Sequence, residues 1–358
     1  MIDGQRVAVA MSGGVDSSVA AALLREQGHA VFGLMLRLWS EPGQIGNGHN
    51  RCCTPDAVER ARQVAALLDI PFYVLDARAV FHHAVVEFFL GGYTSGVTPN
   101  PCLECNRHIR WGFLLDKALR IGATHLASGH YARVRKKGAQ HQLLRGVDAR
   151  KDQSCALNML AQRQLARTLF PLGAFTKTET RSLAQRFGLP VTQRPESQDL
   201  CFLADNDYRR YVREHAPEAL RPGPIVNRQG ERIGEHRGLP LYTIGQRKGI
   251  GIAAPEPLYV LAAKHEANTL VVGRRAELGK NRLRAGNVNW ISGEPPGSAL
   301  RAGVQIRYRA RPASASITPV GADEVNVEFE RPLRDITPGQ AAVLYRDEVC
   351  LGGGVIQS

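Results

Sequence analysis

Long apolar runs are missing from this sequence of 358 residues. No stretch approaches the roughly 18 uninterrupted apolar residues that a membrane span requires, and Met1 to Met11 holds no basic segment followed by a signal-type apolar run. The expectation is a protein with no membrane partner and a cytoplasmic address. Cysteine is scarce: seven residues, an odd number spread over the whole chain, do not make the paired framework of a secreted, disulfide-stapled domain. In a reducing compartment such cysteines are buried, catalytic or metal-binding. Internal repeats and low-complexity tracts are absent too, so nothing points to a solenoid or a disordered array.

What is present is a core and a charge. The chain is 44% hydrophobic and long enough for two or three domains. Its net charge is +13, and basic side chains exceed acidic ones by 7 in residues 1–205 and by 6 in residues 206–358. The excess is no detachable tail. A surface basic along its whole length favours a long polyanion such as nucleic acid, because each phosphate contact releases counterions.

In residues 1–205 short apolar runs alternate with amphipathic segments, the pattern of βαβ units on a parallel sheet. Strands are expected at Arg6 to Met11, Ala30 to Leu36, Pro71 to Leu75 and Thr124 to Ser128. Helices are expected at Ser17 to Gln27, Asp56 to Leu68, Ala79 to Leu90 and His108 to Arg120. The fold class is therefore α/β, a doubly wound parallel sheet. Two segments, Glu41 to Arg51 and Gly91 to Asn106, are rich in Gly, Pro or Asn and read as long loops of the kind that carry binding sites. From about residue 206 the texture becomes turn-rich and β, giving a β-rich central domain over 206–278 and a C-terminal β-barrel over 279–358.

Ser12-Gly13-Gly14-Val15-Asp16-Ser17-Ser18 falls where the first strand hands over to the first helix. Glycines there let the backbone approach an anion, hydroxyls donate to it, and the positive end of the helix favours phosphate. The bare pattern also fits a tight turn with Asp16 or Ser17 as a helix cap. No lysine of the Walker type follows. The string resembles the SGGxDS loop of the PP-loop ATP pyrophosphatases, which split ATP into AMP and pyrophosphate while adenylating a substrate; that resemblance implies magnesium.

Cys102-Leu103-Glu104-Cys105 follows Thr98-Pro99-Asn100-Pro101, and Cys201 lies in Ser197-Gln198-Asp199-Leu200-Cys201-Phe202. A lone CxxC is ambiguous between redox pair, metal half-site and accident, and the second pair that a zinc site would want is absent. Cys155 and Cys350 read as buried small hydrophobes, as do Cys52 and Cys53.

Those cysteine motifs occur with Ala127 to Tyr131 (ASGHY), Lys151-Asp152-Gln153-Ser154, Gly234-Glu235-His236, Tyr242 to Gly249 (YTIGQRKG), Arg307-Tyr308-Arg309, Thr337-Pro338-Gly339-Gln340 and Leu351 to Gly354. In this order, over essentially the full length, the chain resembles bacterial tRNA-specific 2-thiouridylases. The resemblance implies that Ala10, Met11, Ser12, Gly13, Gly14, Val15, Asp16, Ser17, Leu36 and Gly129 hold ATP. It implies that Asn100, Pro101 and Cys102 approach the target base, and that His130, Lys151, Asp152, Gln153, Arg307, Tyr308 and Gln340 contact tRNA. It further implies that the C2 oxygen of the wobble uridine is adenylated, that a persulfide on Cys201 attacks C2, and that Cys105 resolves the intermediate by forming a disulfide. A persulfide donor or relay protein is the second implied partner.

Many relatives carry aspartate where this chain has Cys102. The thiol could act as a base, serve as a spare resolving thiol, or join Cys105 and Cys201 in holding an iron–sulfur cluster with one open iron, although the resemblance favours the persulfide route and no metal ligand set is assigned. His82 and His83 read as surface or packing residues without a partner at ligand spacing, and Arg135-Lys136-Lys137 as a solvated hairpin. Gln246 to Gly249 is suited to tracking a nucleic-acid backbone. Two other functions remain open to the residues alone: an ATP-dependent ligase or amidotransferase acting on a small molecule, and an RNA-binding or sulfur-carrier adaptor without catalysis.

Overall fold

The computed structural model describes residues 4–41, 54–190, 200–308 and 310–357. Strand β1 (Arg6–Ala10) buries Val7, Ala8 and Val9 completely, as expected for a strand covered on both faces. Helix α1 (Val15–Glu26) follows, then β2 (Ala30–Arg37), helix α2 (Pro55–Leu67) capped by Thr54, and β3 (Phe72–Asp76). Farther on come β4 (His125–Ser128), the hairpin β5 (Ala132–Lys137) and β6 (Gln140–Arg145), and the short β7 (Thr168–Leu169).

Strands pair in the order β3-β2-β1-β4-β7, all parallel. Alternation along β1 sends Val7 and Val9 to one face with α1 and α2, and Ala8 to the other with Trp111, Leu114 and Leu115. The sheet is doubly wound. Because the chain leaves β1 toward β2 on one side and returns as β4 on the other, the carboxyl end of β1 is the topological switch point, where open α/β sheets bind ligands.

The segment expected as a loop over Gly91 to Asn106 is mostly helical. One helix runs over 78–94 with a π-helical stretch at His82–Glu87, and another runs over 101–120, π-helical at Cys105–Leu114. Pro101 stands at the first helical position, where its missing N–H costs nothing, so a residue that reads as a breaker in the sequence is a helix start. Cys102 and Cys105 are therefore on a helix, and only residues 95–100 form the connection.

The central unit pairs β8 (Gly223–Val226), β9 (Arg232–His236), β10 (Tyr259–Lys264) and β11 (Thr269–Gly273) in the order β10-β11-β8-β9, around Ile225, Val260, Leu270 and Val272. The last unit contains β12 (Lys280–Trp290), β13 (Leu300–Gln305), β14 (Ala313–Val320), β15 (Glu324–Leu333), β16 (Ala341–Arg346) and β17 (Val349–Ile356). They pair in the order β12-β15-β14-β13-β16-β17, and β17 returns to β12, which closes a barrel. Alternate residues of β14 and β15, among them Ala315, Ile317, Val325, Val327 and Phe329, fill its interior.

The β5–β6 hairpin lies early in the chain but pairs with β17, Leu144 opposite Val349 and Leu143 opposite Cys350. One core consequently runs from Ala8 in the parallel sheet to Tyr345 and Cys350 in the barrel. Among the described residues no helix is long and apolar enough to cross a membrane.

Candidate active site

The loop between β1 and α1 is shaped by close approach. Gly13 has φ +67°, and a Cβ there would overlap the Ala57 carbonyl oxygen of α2, so both conformation and space demand glycine. Gly129, just beyond β4, would place a Cβ 2.8 Å from the Asp16 carbonyl carbon and the Ser17 nitrogen. Ser17 Oγ accepts from the Ser12 N–H at 3.2 Å and donates to the Gly14 carbonyl at 3.2 Å, while Ser18 Oγ donates to the same carbonyl at 2.8 Å. Met11, Val15 and Ser17 are buried beneath. Ala10 to Ser17 and Gly129 therefore share one rigid corner at the switch point. Leu36 is farther along β2, paired with Leu75.

The cation that the loop's own sequence lacks arrives from elsewhere. Lys177 opens the helix Lys177–Arg186, which a Thr176–Glu179 capping box starts. Its Nζ donates to Asp16 Oδ1 at 2.6 Å and Oδ2 at 2.8 Å, with the Lys177 side chain only 13% exposed. The Lys177 backbone N–H donates to Asp148 Oδ2 at 2.9 Å, and the Tyr131 hydroxyl donates to Asp16 Oδ1 at 2.9 Å. Sequence reasoning missed Lys177: the capping box marks a helix start, but nothing local says that this start returns to the loop 161 residues upstream.

Cys102 is exposed, Cys105 buried and Cys201 half-buried. Cys105 and Cys201 belong to one apolar cluster with Phe81, Phe89, Ile109, Phe202 and Tyr211, so the helix over 101–120 and the segment after residue 200 meet there. Among the described residues no group of three or more His, Cys, Asp or Glu side chains is arranged to hold a metal ion. Burial pushes the Cys155 thiol up to about 12 and raises that of Cys350 further, which keeps both protonated and inert, as buried small hydrophobes should be. Cys52 and Cys53, with Ser197 to Asp199, lie outside the described residues.

The residues expected at the RNA divide into surface and support. Asn100 ends the short connection and the buried Pro101 starts the helix just before Cys102; the barrel braces that connection, since the Thr98 N–H donates to the Pro338 carbonyl at 2.9 Å and Gln340 Nε2 donates to the Thr98 carbonyl at 2.9 Å. Gln340 thus has a protein partner where an RNA contact was expected. Asp152 is buried, and its carboxylate accepts from Arg145 Nη1, the Gly146 and Ser154 N–H groups and Ser154 Oγ, at 3.0 to 3.1 Å. That carboxylate braces a turn from inside. Gln153 Oε1 accepts from the Tyr131 N–H at 3.1 Å, Lys151 is half-buried, Arg307 pairs with Asp335 at 2.8 Å, and Tyr308 is exposed. His130 Nδ1 lies 2.8 Å from Ser128 Oγ, its ring against Trp111 and Phe170. Burial, helped by the Arg110 charge, pushes its pKa down to about 3, so the ring is neutral.

Two lesser expectations resolve as well. Glu87 meets both His82 Nδ1 at 3.1 Å and His83 Nδ1 at 2.8 Å, so these histidines do have a carboxylate partner, on the protein surface. Arg135 to Lys137 end β5 of a hairpin that turns at Gly138, as expected. Gln246 is spent on its own turn and on Arg209, which leaves Arg247 and Lys248 as the exposed cations there.

Fold and loop define an α/β nucleotide-binding protein with two appended β units. Residues 5–205 match the tRNA methyl transferase HUP domain, 209–274 the tRNA methyl transferase PRC-barrel domain, and 280–356 the aminomethyltransferase beta-barrel domain. The chain is 49% identical over 353 residues to the tRNA-specific 2-thiouridylase MnmA of Moorella thermoacetica, covering 98% of this chain and 99% of that protein. It is 48% identical over 351 residues to the MnmA of Chloroflexus aurantiacus, covering 98% of each. The chain belongs to the tRNA-specific 2-thiouridylase family. Among solved structures, a 4-thiouridine synthetase–RNA complex with bound ATP gives a TM-score of 0.37 at 17% identity, over 60% of this chain and 51% of that one. A U34-tRNA thiolase NcsA from Methanococcus maripaludis with its [4Fe-4S] cluster gives 0.35 at 18%, over 60% and 65%.

Proposed function

We propose that this protein is a cytoplasmic tRNA-uridine 2-sulfurtransferase that uses ATP to activate the C2 oxygen of the wobble uridine. The observation that carries the proposal is the 49% identity to a 2-thiouridylase over 98% of the chain. The loop from Ala10 to Ser17, with Gly129, receives the nucleotide at the switch point, and Lys177 supplies the ammonium for its phosphates. Asp16 fits a magnesium-holding role, since Oδ1 accepts from both Lys177 and Tyr131 while Oδ2 accepts from Lys177 and keeps a second lone pair. Magnesium bound there would offset the charge gathering on the departing pyrophosphate.

The uracil is presented beside Asn100, Pro101 and Cys102. The C2 oxygen attacks the α-phosphorus, pyrophosphate leaves, and the base carries AMP. The terminal sulfur of a Cys201 persulfide, loaded by a donor protein, then attacks C2 and AMP departs. Cys105 thiolate attacks Cys201 Sγ, the S–S bond to the transferred sulfur breaks with its electron pair going to that sulfur, and 2-thiouridine is released beside a Cys105–Cys201 disulfide. Cys102 is auxiliary. Lys151, Gln153, His130, Arg307 and Tyr308 form the RNA-facing surface, with Asp152 and Gln340 bracing it.

ATP–pyrophosphate exchange tests the first half of this scheme. Exchange that depends on added tRNA supports it. Exchange without tRNA would mark a small-molecule ligase, and none under any condition would mark an adaptor.

A further inference from the structure

The segment that carries Cys201 is fastened by an ion cluster that the scheme above leaves unused. Leu200 to Leu203 form a turn closed by the Leu203 N–H on the Leu200 carbonyl at 3.1 Å. Phe202 is 2% exposed and meets Phe89 edge-on at 5.2 Å. Directly after it, Glu41 takes hold of the chain: the Glu41 N–H donates to the Phe202 carbonyl at 3.2 Å, and Glu41 Oε2 accepts from the Ala204 N–H at 3.2 Å. The Glu41 side chain is only 6% exposed, and Arg210, on the helix Tyr208–His215, grips it with both terminal nitrogens, Nη1 to Oε1 at 2.7 Å and Nη2 to Oε2 at 2.8 Å. Arg210 also reaches Asp205, Nε to Oδ2 at 2.7 Å and Nη2 to Oδ1 at 3.1 Å, so one guanidinium ties both Glu41 and the far end of the thiol segment.

We propose that the Glu41–Arg210 pair is a latch that positions Cys201 for sulfur transfer, leaving adenylation to the rest of the site. A buried ion pair adds little net stability, because desolvation offsets most of its attraction, and its better-attested contribution is fixing one arrangement among several. A planar guanidinium held bidentately suits that purpose. The Cys201 sulfur must meet a donor, then C2 of the base, then Cys105, and misplacement of a reacting atom by about 1 Å can cost on the order of 100-fold in rate. Phe202 fixes the depth of the segment; Glu41 and Arg210 fix its direction. The latch rests on the reading of Cys201 as the sulfur carrier.

The test uses the full-length enzyme with tRNA, ATP and a persulfide donor. Glu41→Gln and Arg210→Met should keep tRNA-dependent ATP–pyrophosphate exchange within about twofold and lose 2-thiouridine formation by about tenfold or more. Iodoacetamide should label Cys201 several-fold faster in both variants, with Cys105 labelling unchanged. Arg210→Lys should recover part of the activity, and Glu214→Gln, which removes only the exposed outer partner of Arg210, should match the parent. Equal losses of exchange and thiolation would reduce the pair to a folding element and overturn the latch, as would parent-like thiolation in Glu41→Gln. Cys201→Ser keeps the two ideas apart: if it still thiolates, the carrier reading fails, whereas if it is inert while the latch variants thiolate normally, only the latch fails.

Discussion

Lys177→Met keeps the length and apolar stem of the side chain and removes only the ammonium group that lies 2.6 Å from Asp16. Two quantities should respond very differently. Asp16 is 34% exposed, so water can replace much of what the ion pair contributes to folding, and the stability loss should be about 1 kcal/mol or less. In adenylation the ammonium faces phosphate oxygens whose charge grows as pyrophosphate departs, in a corner partly closed to water. Removing one such donor from a preorganised site costs about 2.7–4 kcal/mol of barrier, or about 100- to 1,000-fold in rate. The assay is tRNA-dependent ATP–pyrophosphate exchange across a range of ATP concentrations, beside a thermal melt and a tRNA-binding titration. The expected variant melts within a few degrees of the parent, binds tRNA normally and exchanges at least about 100-fold more slowly. Lys177→Arg should recover part of the loss. Parent-like exchange by Lys177→Met would refute the reasoning, since the ammonium would then serve only to hold Asp16.

Other consequences follow from the same geometry. Cys105→Ser and Cys201→Ser should each eliminate 2-thiouridine while exchange persists, Cys102→Ser should only slow it, and non-reducing peptide maps after turnover should contain a Cys105–Cys201 disulfide; iron-dependent activity lost with any of the three thiols would contradict this. His130 has a folded pKa of about 3 against 6.5 unfolded, so the unfolded chain takes up the proton first. Its contribution to stability is intact above pH 6.5 and is lost progressively as pH falls toward 3, and urea titrations of His130→Gln should show a shallower acid slope. Arg247→Ala with Lys248→Ala should weaken tRNA binding and lower the salt slope by about 1–2, while an unchanged slope would remove that turn from the interface.

What the sequence discloses, it discloses locally. Ser12 to Ser18 can be recognised because a glycine turn, hydroxyls and a helix start are consecutive, and the β1-to-α1 handover needs only adjacent residues. The doubly wound sheet and the barrel follow from periodicity in the same way. Lys177 is invisible from sequence because its meaning is its distance to Asp16. The helix that begins at Pro101 was masked by prolines and glycines that read as breakers, although proline suits a first helical turn. Asp152 sits in a polar motif that looks exposed, and only the fold reveals Arg145 and two backbone N–H groups closing over it. The β5–β6 hairpin likewise reads as part of the first 205 residues, yet its pairing with β17 makes the barrel part of the same core.

The central claim, that ATP cleavage and sulfur delivery converge on one tRNA uridine, is tested most directly by single-turnover reaction of the purified full-length protein with unmodified tRNA, magnesium, ATP and a persulfide donor, followed by mass spectrometry of the digested nucleosides and measurement of AMP. The account predicts 2-thiouridine and AMP in equal amounts, both requiring tRNA, with neither formed by Asp16→Asn. AMP formed without tRNA, or 2-thiouridine formed without ATP, would contradict it.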